Sequence, residues 1–223
     1  GVDVTRKEVQ SFYSHYKDSL PLVPAKIKFS LIELPFIPGE ESKLSEFNLI
    51  AHLKEQLEKG ASFEDLAKKY SQDPGSSGVG GDLGYMKRGT LVSEYEEVAF
   101  SLDINEISAP VLSPFGYHLI QLLDKKGERI HTRHILRFLK PSDEDREEVL
   151  EEVRKIYSES QHDPGLFDSL VQEIRLDLKN RSGIYPGVDV SSIPFDLLPS
   201  IKETPANTLS YPFESQGESV CLA

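Results

Sequence analysis

The chain has 223 residues, a formal net charge of −12, 38% hydrophobic residues and 28% charged residues. That length accommodates one large or two small domains, and the apolar fraction suffices for their cores. So acidic a surface repels phosphate backbones and anionic lipid heads, which disfavours nucleic-acid and membrane-surface partners, and no run of about 18 apolar residues suggests a membrane span. The opening Gly1-Val2-Asp3 lacks an initiator Met, as expected of a chain cut from a longer precursor, so a missing signal-peptide pattern decides no compartment. Residues 1–25 predict one helix and a linker. Thr5 and Glu8 have capping-box spacing, and Val9, Phe12, Tyr13 and Tyr16 form a stripe that needs a docking partner, before Pro21 and Pro24 break the pattern. Lys26–Leu34 reads as a strand. Ser42–Lys59 reads as a helix with Leu44, Phe47, Ile50, Leu53 and Leu57 on one face and Gly60 as its stop.

Ser62 with Asp65 caps a shorter helix that ends near Tyr70. Tyr70–Gly89 follows, with six glycines and a proline. So glycine-dense a stretch between amphipathic segments cannot be regular throughout, and such loops in compact domains are often functional. Ser93 with Glu96 suggests another capping box and a helix through Ser101. Ile107–Val111 and Tyr117–Leu123 read as strands, and Lys125-Lys126-Gly127-Glu128 as a polar joint. The pattern then restarts, with a strand at Ile130–Leu139, helices at about Ser142–Ser158 and Pro164–Lys179, and a Gly/Pro-rich loop at Ser182–Val190. Ile107-Ser108-Ala109-Pro110-Val111 aligns with Leu209-Ser210-Tyr211-Pro212-Phe213, and Ser30-Leu31-Ile32 with Arg133-His134-Ile135. This internal repeat suggests two tandem copies of one α+β fold.

Cys221 is the single cysteine, so an intrachain disulfide or a thiolate metal cluster is excluded. The six histidines form no metal box, because His131 and His134 would point to opposite faces of a strand. The stretch Tyr70–Gly89 also lacks the Gly-Lys-Ser/Thr ending of a phosphate-cradling loop.

Four segments together, ASFEDLAKKYSQDPGSSGVGGDLGYMKRG, EVAFSL, EISAPV and FGYHLIQLLD, resemble the parvulin family of peptidyl-prolyl cis/trans isomerases. The tandem arrangement, with RHIL opening the second copy, resembles SurA-like chaperone-isomerases of the bacterial envelope. The resemblance implies two FKBP-like domains, each a small antiparallel sheet packed with helices, at 26–124 and, degenerate, at 130–223. Residues 1–25 would be the tail of a chaperone module. It implies clients that are unfolded or extended polypeptides, outer-membrane protein precursors among them, a periplasmic or envelope location, and no cofactor, metal or nucleic acid. A phosphate-directed parvulin is disfavoured, since Glu40 and Glu41 outnumber Lys43 after the first strand.

Resemblance also implies site residues. Leu83, Met86, Leu91 and Tyr95, with Phe115 nearby, would grip a proline ring, while Asp73 would face the substrate carbonyl. Gly80, Gly81 and Gly84 would let the backbone pass close by. Each has an ordinary alternative: Leu83, Leu91 and Tyr95 also suit a core, Asp73 before Pro74 a turn, Asp82 an anchor for loop amides, and His118 a satisfied core histidine. The family's pair of histidines is split. The first copy keeps His118 but has Leu31 at the other histidine's place, while the second keeps His134 as a remnant and has Val220 opposite. On that reading neither copy is complete, turnover is weak or absent, and a chaperone that only holds extended segments is the alternative.

Overall fold

The computed structural model describes residues 4–17, 25–177 and 180–223. Contacts divide the chain into a central unit, 36–150, and an outer unit made of 1–35 with 151–223.

In the outer unit α1 (Arg6–Tyr16) starts at the expected Thr5–Glu8 capping box and buries none of its residues. β1 (Lys26–Pro35) follows; Pro21 and Pro24 lie outside the described residues. The central unit then runs α2 (Glu40–Glu58), α3 (Phe63–Tyr70), a single 3-10 turn at Ser77–Val79, β2 (Asp82–Lys87), α4 (Ser93–Ser101), β3 (Val111–Ser113), β4 (Gly116–Lys126) and β5 (Arg129–Phe138). Helix α5 (Asp143–Ser160) crosses the division. The outer unit resumes with α6 (Pro164–Asp177), β6 (Gly183–Asp189), α7 (Leu198–Glu203), β7 (Phe213–Ser215) and β8 (Ser219–Leu222).

Each unit holds one four-stranded antiparallel sheet, ordered β2-β5-β4-β3 in the central unit and β6-β1-β8-β7 in the outer one. The α+β expectation therefore holds, but the two opening strands are exchanged. The sequence places the strand at 26–34 in the first domain and the strand at 130–139 in the second. Instead, β1 lies between β6 and β8, and β5 lies between β2 and β4. Locality explains the central unit. Lys126 pairs with Arg129 across Gly127 and Glu128, and Gly127 takes a left-handed φ of 57°. The segment read as a joint is thus a two-residue hairpin turn, the shortest loop that can close an antiparallel pair.

The central sheet is covered on both faces. Ile50, Leu53 and Leu57 of α2 and Phe63, Leu66 and Ala67 of α3 pack on Leu119 and Ile135. The expected partners Leu44 and Phe47 stay exposed. Tyr95, Ala99 and Phe100 of α4 pack on Ile120, Leu122 and Ile130 of the opposite face. Helix α4 begins after Val92 without a side-chain cap; Glu96 instead accepts the Gly89 N–H at 2.6 Å. Of the strand expected at 107–111, Ile107 forms an isolated bridge to Gln121, and regular pairing starts at Val111. The loop expected at 182–190 is the edge strand β6. Its register against β1 shifts between Ile27 and Phe29, and Pro186 lies at that irregularity, where a missing N–H costs no ladder bond.

Candidate active site

Helix α3 ends at Tyr70, and the chain then follows the edge of β5 that β2 leaves free. The Gln72 N–H donates to Leu136 O at 2.8 Å, the Leu136 N–H to Ser71 Oγ at 3.2 Å, and the Phe138 N–H to Gln72 Oε1 at 2.7 Å. Arg137 adds a fork onto Glu46, at 2.8 and 3.0 Å, and a bond to Tyr70 O at 3.1 Å. These bonds carry Asp73 to His134. Gly81 completes the approach: with φ 83° it accepts the His134 N–H at 2.9 Å, and a Cβ there would lie 2.1 Å from His134 O. Nothing comparable confines Gly84, which has a positive φ and open space.

His118 and His134 stand in one site. Their Nδ1 atoms are 3.3 Å apart, and their rings stack at 5.4 Å. His134 is therefore no remnant of a second domain. The two histidines meet within the central unit because β5, not β1, lies beside β4 in its sheet.

Proton positions follow by elimination. Burial pushes the Asp73 carboxyl up, but hydrogen bonds from Ser76, from His134 and from the Gly75 N–H outweigh it and hold the group ionised, below its usual range. Asp73 can then only accept, so the proton between it and His134 Nε2, 2.9 Å away, sits on the imidazole. Burial lowers the His134 pKa against the pull of Asp73, leaving the ring neutral with an accepting Nδ1. His118 Nδ1–H donates to it. His118 Nε2 then accepts from the Ser113 hydroxyl at 2.7 Å. Burial first, and the neighbouring His134 second, pull the His118 pKa down to about 3. One directed chain results, from Ser113 through His118 and His134 to Asp73.

This polar chain floors an apolar cavity of about 460 Å³, lined by Leu83, Thr90, Leu91, Val92, Tyr95, Phe115, Leu136 and Phe138 together with Asp73, His118 and His134. The expected Leu83, Leu91, Tyr95 and Phe115 are present. Met86 is not among the lining residues; it pairs with Ile130 on β2. Reading the sequence missed Ser76, Ser113, Thr90, Val92, Leu136 and Phe138. Ser113 had a signal, two residues before the FGYH turn, but serine is too common in turns to stand out. Asp82 anchors the Gly84 N–H at 2.7 Å and meets His131 at 2.7 Å, the loop role expected of it.

Residues 16–126 match the PPIC-type PPIASE domain. The chain carries a PPIC-type parvulin domain. That match runs through β1 and stops before β5, so it includes Leu31 and omits His134. Among similar proteins, Foldase protein PrsA of Geobacillus sp. (strain WCH70) is 35% identical over 178 residues, 80% of this chain and 53% of that one. Chaperone SurA of Methylobacillus flagellatus is 42% identical over 112 residues, 49% of this chain and 25% of that one. A crystal structure of the peptidylprolyl isomerase PrsA from Bacillus cereus overlaps with a TM-score of 0.36 at 28% identity, covering 80% of this chain and 57% of that one. The chain spans about half the length of the curated PrsA relatives named first among its matches.

In the outer sheet the places matching His134 and His118 by register hold no histidine. Two residues beyond the pair that closes its hairpin, Ser215–Ser219, stands Cys221; two beyond Ser113–Gly116 stands His118. Cys221, not Val220, therefore corresponds to His118, and Val220 points to the other face. Leu31 and Cys221 are fully buried and pack with Leu197 and Ile201 near α7. Burial, then Glu33, pushes the Cys221 thiol up to about 12, so it stays protonated.

The parvulin site also predicts a pH response. Both histidines have folded pKa values below their unfolded value near 6.5. As pH falls below about 6.5 the unfolded chain takes up protons that the folded site refuses. Stability should then fall by up to about 1.4 kcal/mol per pH unit for each histidine, over a range reaching toward pH 3 for His118. Urea titrations between pH 8 and 4 should show a plateau above 7 and a decline below 6.5 that is shallower in His118→Phe. A plateau extending to pH 5 would refute the neutral pair.

Proposed function

We propose that this chain is a peptidyl-prolyl cis/trans isomerase and folding factor that works on proline-containing stretches of unfolded polypeptides in the bacterial cell envelope, outer-membrane protein precursors among them. The reading rests on one observation: a hydrogen-bonded Ser113–His118–His134–Asp73 chain presents His118, His134 and Asp73 to an apolar cavity fit for a proline ring. Rotating a peptide bond breaks a resonance worth a barrier of about 18–20 kcal/mol. No nucleophile is required. The catalyst must hold the ring in apolar surroundings and favour the twisted amide through polar groups fixed beforehand. In this site Leu83, Leu91 and Tyr95 grip the ring, the ionised Asp73 borders the carbonyl's path, and the imidazole pair holds Asp73 in place. The ground for expecting weak turnover, a missing partner histidine, falls away in the central unit.

Leu31 and Cys221, both buried in an apolar core, leave the outer sheet without a histidine pair, so turnover is assigned to the central unit alone. Exchange NMR on a proline tetrapeptide with the full chain tests the proposal. Acceleration of cis/trans exchange is expected, and a rate equal to the uncatalysed one would overturn it.

A further inference from the structure

Tyr95 is 2% exposed, and burial pushes its hydroxyl's pKa further up, so the group is a permanent O–H that needs a partner. It reaches Thr132 Oγ1 at 3.2 Å. Thr132 is fully buried and lies two residues before His134, on the same face of β5. The Tyr95 ring meets both imidazoles edge-on, His118 at 5.4 Å and 86° and His134 at 5.7 Å and 73°. One strand therefore supplies a site histidine and also the peg for the ring that abuts the pair. The Nδ1–Nδ1 separation of 3.3 Å is already at the long end for a hydrogen bond. A few tenths of an ångström of further play would break the chain that runs to Asp73.

We propose that Thr132 is a positioning residue of this site: by fixing the Tyr95 hydroxyl it fixes the tilt of the ring against which both imidazoles rest. The proposal builds on the isomerase reading and extends it to a residue outside the cavity lining. Thr132→Val keeps the shape and removes the acceptor, Thr132→Ser keeps the hydroxyl, and Tyr95→Phe removes the other half of the bond.

In the full chain, Thr132→Val should lower kcat about fivefold, the worth of one buried hydrogen bond, with KM within about twofold. Thr132→Ser should restore kcat, and Tyr95→Phe/Thr132→Val should be no slower than the slower single variant. Independently of turnover, nitrogen NMR of the histidine rings should show one fixed tautomer for each ring in the wild type and in Thr132→Ser, and averaged signals in Thr132→Val. An inactive wild type would overturn the isomerase reading, while the ring-nitrogen spectra would still decide this one. Should Thr132→Val fail to fold, Tyr95→Phe gives the same readout. Unchanged kcat and unchanged ring signals, whatever happens to stability, would overturn the proposal, as would a rise in KM alone.

Discussion

His134→Ala is expected to lower the isomerase kcat/KM of the full chain about tenfold or more, and Leu31→His to leave it within about twofold. The magnitude follows from the bonds lost. His134 Nε2 donates to Asp73 and lies 3.1 Å from Ser76 Oγ, while its Nδ1 holds His118. Hydrogen bonds to an ionised group contribute about 1.5–3 kcal/mol each, and 1.4 kcal/mol is a factor of ten in rate. Alanine at 134 also leaves His118 buried beside an empty space, free to exchange tautomers.

Leu31 has no such part. It is fully buried among Ile193, Leu197 and Ile201 of the outer unit. An imidazole there would meet an apolar core, so Leu31→His should cost roughly 1–3 kcal/mol of stability and restore nothing. The pair of variants decides which strand completes the site. If Leu31→His raised activity and His134→Ala were silent, the histidine would come from the strand at 26–35, and the assignment of β5 to the central sheet would be wrong. Exchange NMR on a proline peptide, with urea titration of each variant, makes the comparison.

The parts of the fold legible in the sequence were those governed by local rules. Thr5 and Ser62 capped helices as read, the periodicity of Ile50, Leu53 and Leu57 marked a buried face, and the glycines of Tyr70–Gly89 marked a loop that serves a site. Strand membership was not legible in the same way. Leu31 and His134 occupy matching places in similar strands, and periodicity gives which face a residue takes but not which sheet a strand joins. The one local clue was Gly127-Glu128 between two apolar runs, a hairpin signal that also resembles a polar joint. Edge strands β2 and β6 were hidden for another reason. Each contains glycine and a register irregularity, so their composition reads as loop although their backbones pair.

The same exchange of strands brings Glu33 into the outer unit, where it predicts the largest stability effect. Glu33 is 7% exposed. Its carboxylate accepts from the Arg181 backbone N–H at 2.8 Å, from Arg181 Nη2 at 2.6 Å and from Ser219 Oγ at 2.8 Å. Arg181 Nη1 also donates to Asp196 at 2.9 Å, and Nη2 to Ser215 Oγ at 2.7 Å. One cation thus sits between two buried carboxylates. Arg181→Met removes it and leaves both negative charges facing each other in a poorly solvated place. Breaking a buried pair costs about 3–5 kcal/mol, and Arg181, a third exposed, belongs near 3.

The pH dependence gives the sign. Burial pushes the Glu33 and Asp196 carboxyls up, but their hydrogen bonds outweigh it and hold both folded pKa values below the ordinary carboxylate range. Their contribution is therefore present above about pH 4 and is lost as pH falls through those lower values. The gap between Arg181→Met and wild type should be widest at pH 7 and should close in acid, where protonated carboxyls no longer need the cation. Guanidinium titrations followed by circular dichroism at pH 7 and at about pH 2, below the lowered carboxyl pKa values, measure it. Isomerase activity of the folded variant should be unchanged, since every side chain of the parvulin site lies between Asp73 and Phe138 in the central unit. A deficit that is equal at both pH values would assign Arg181 to packing and not to charge.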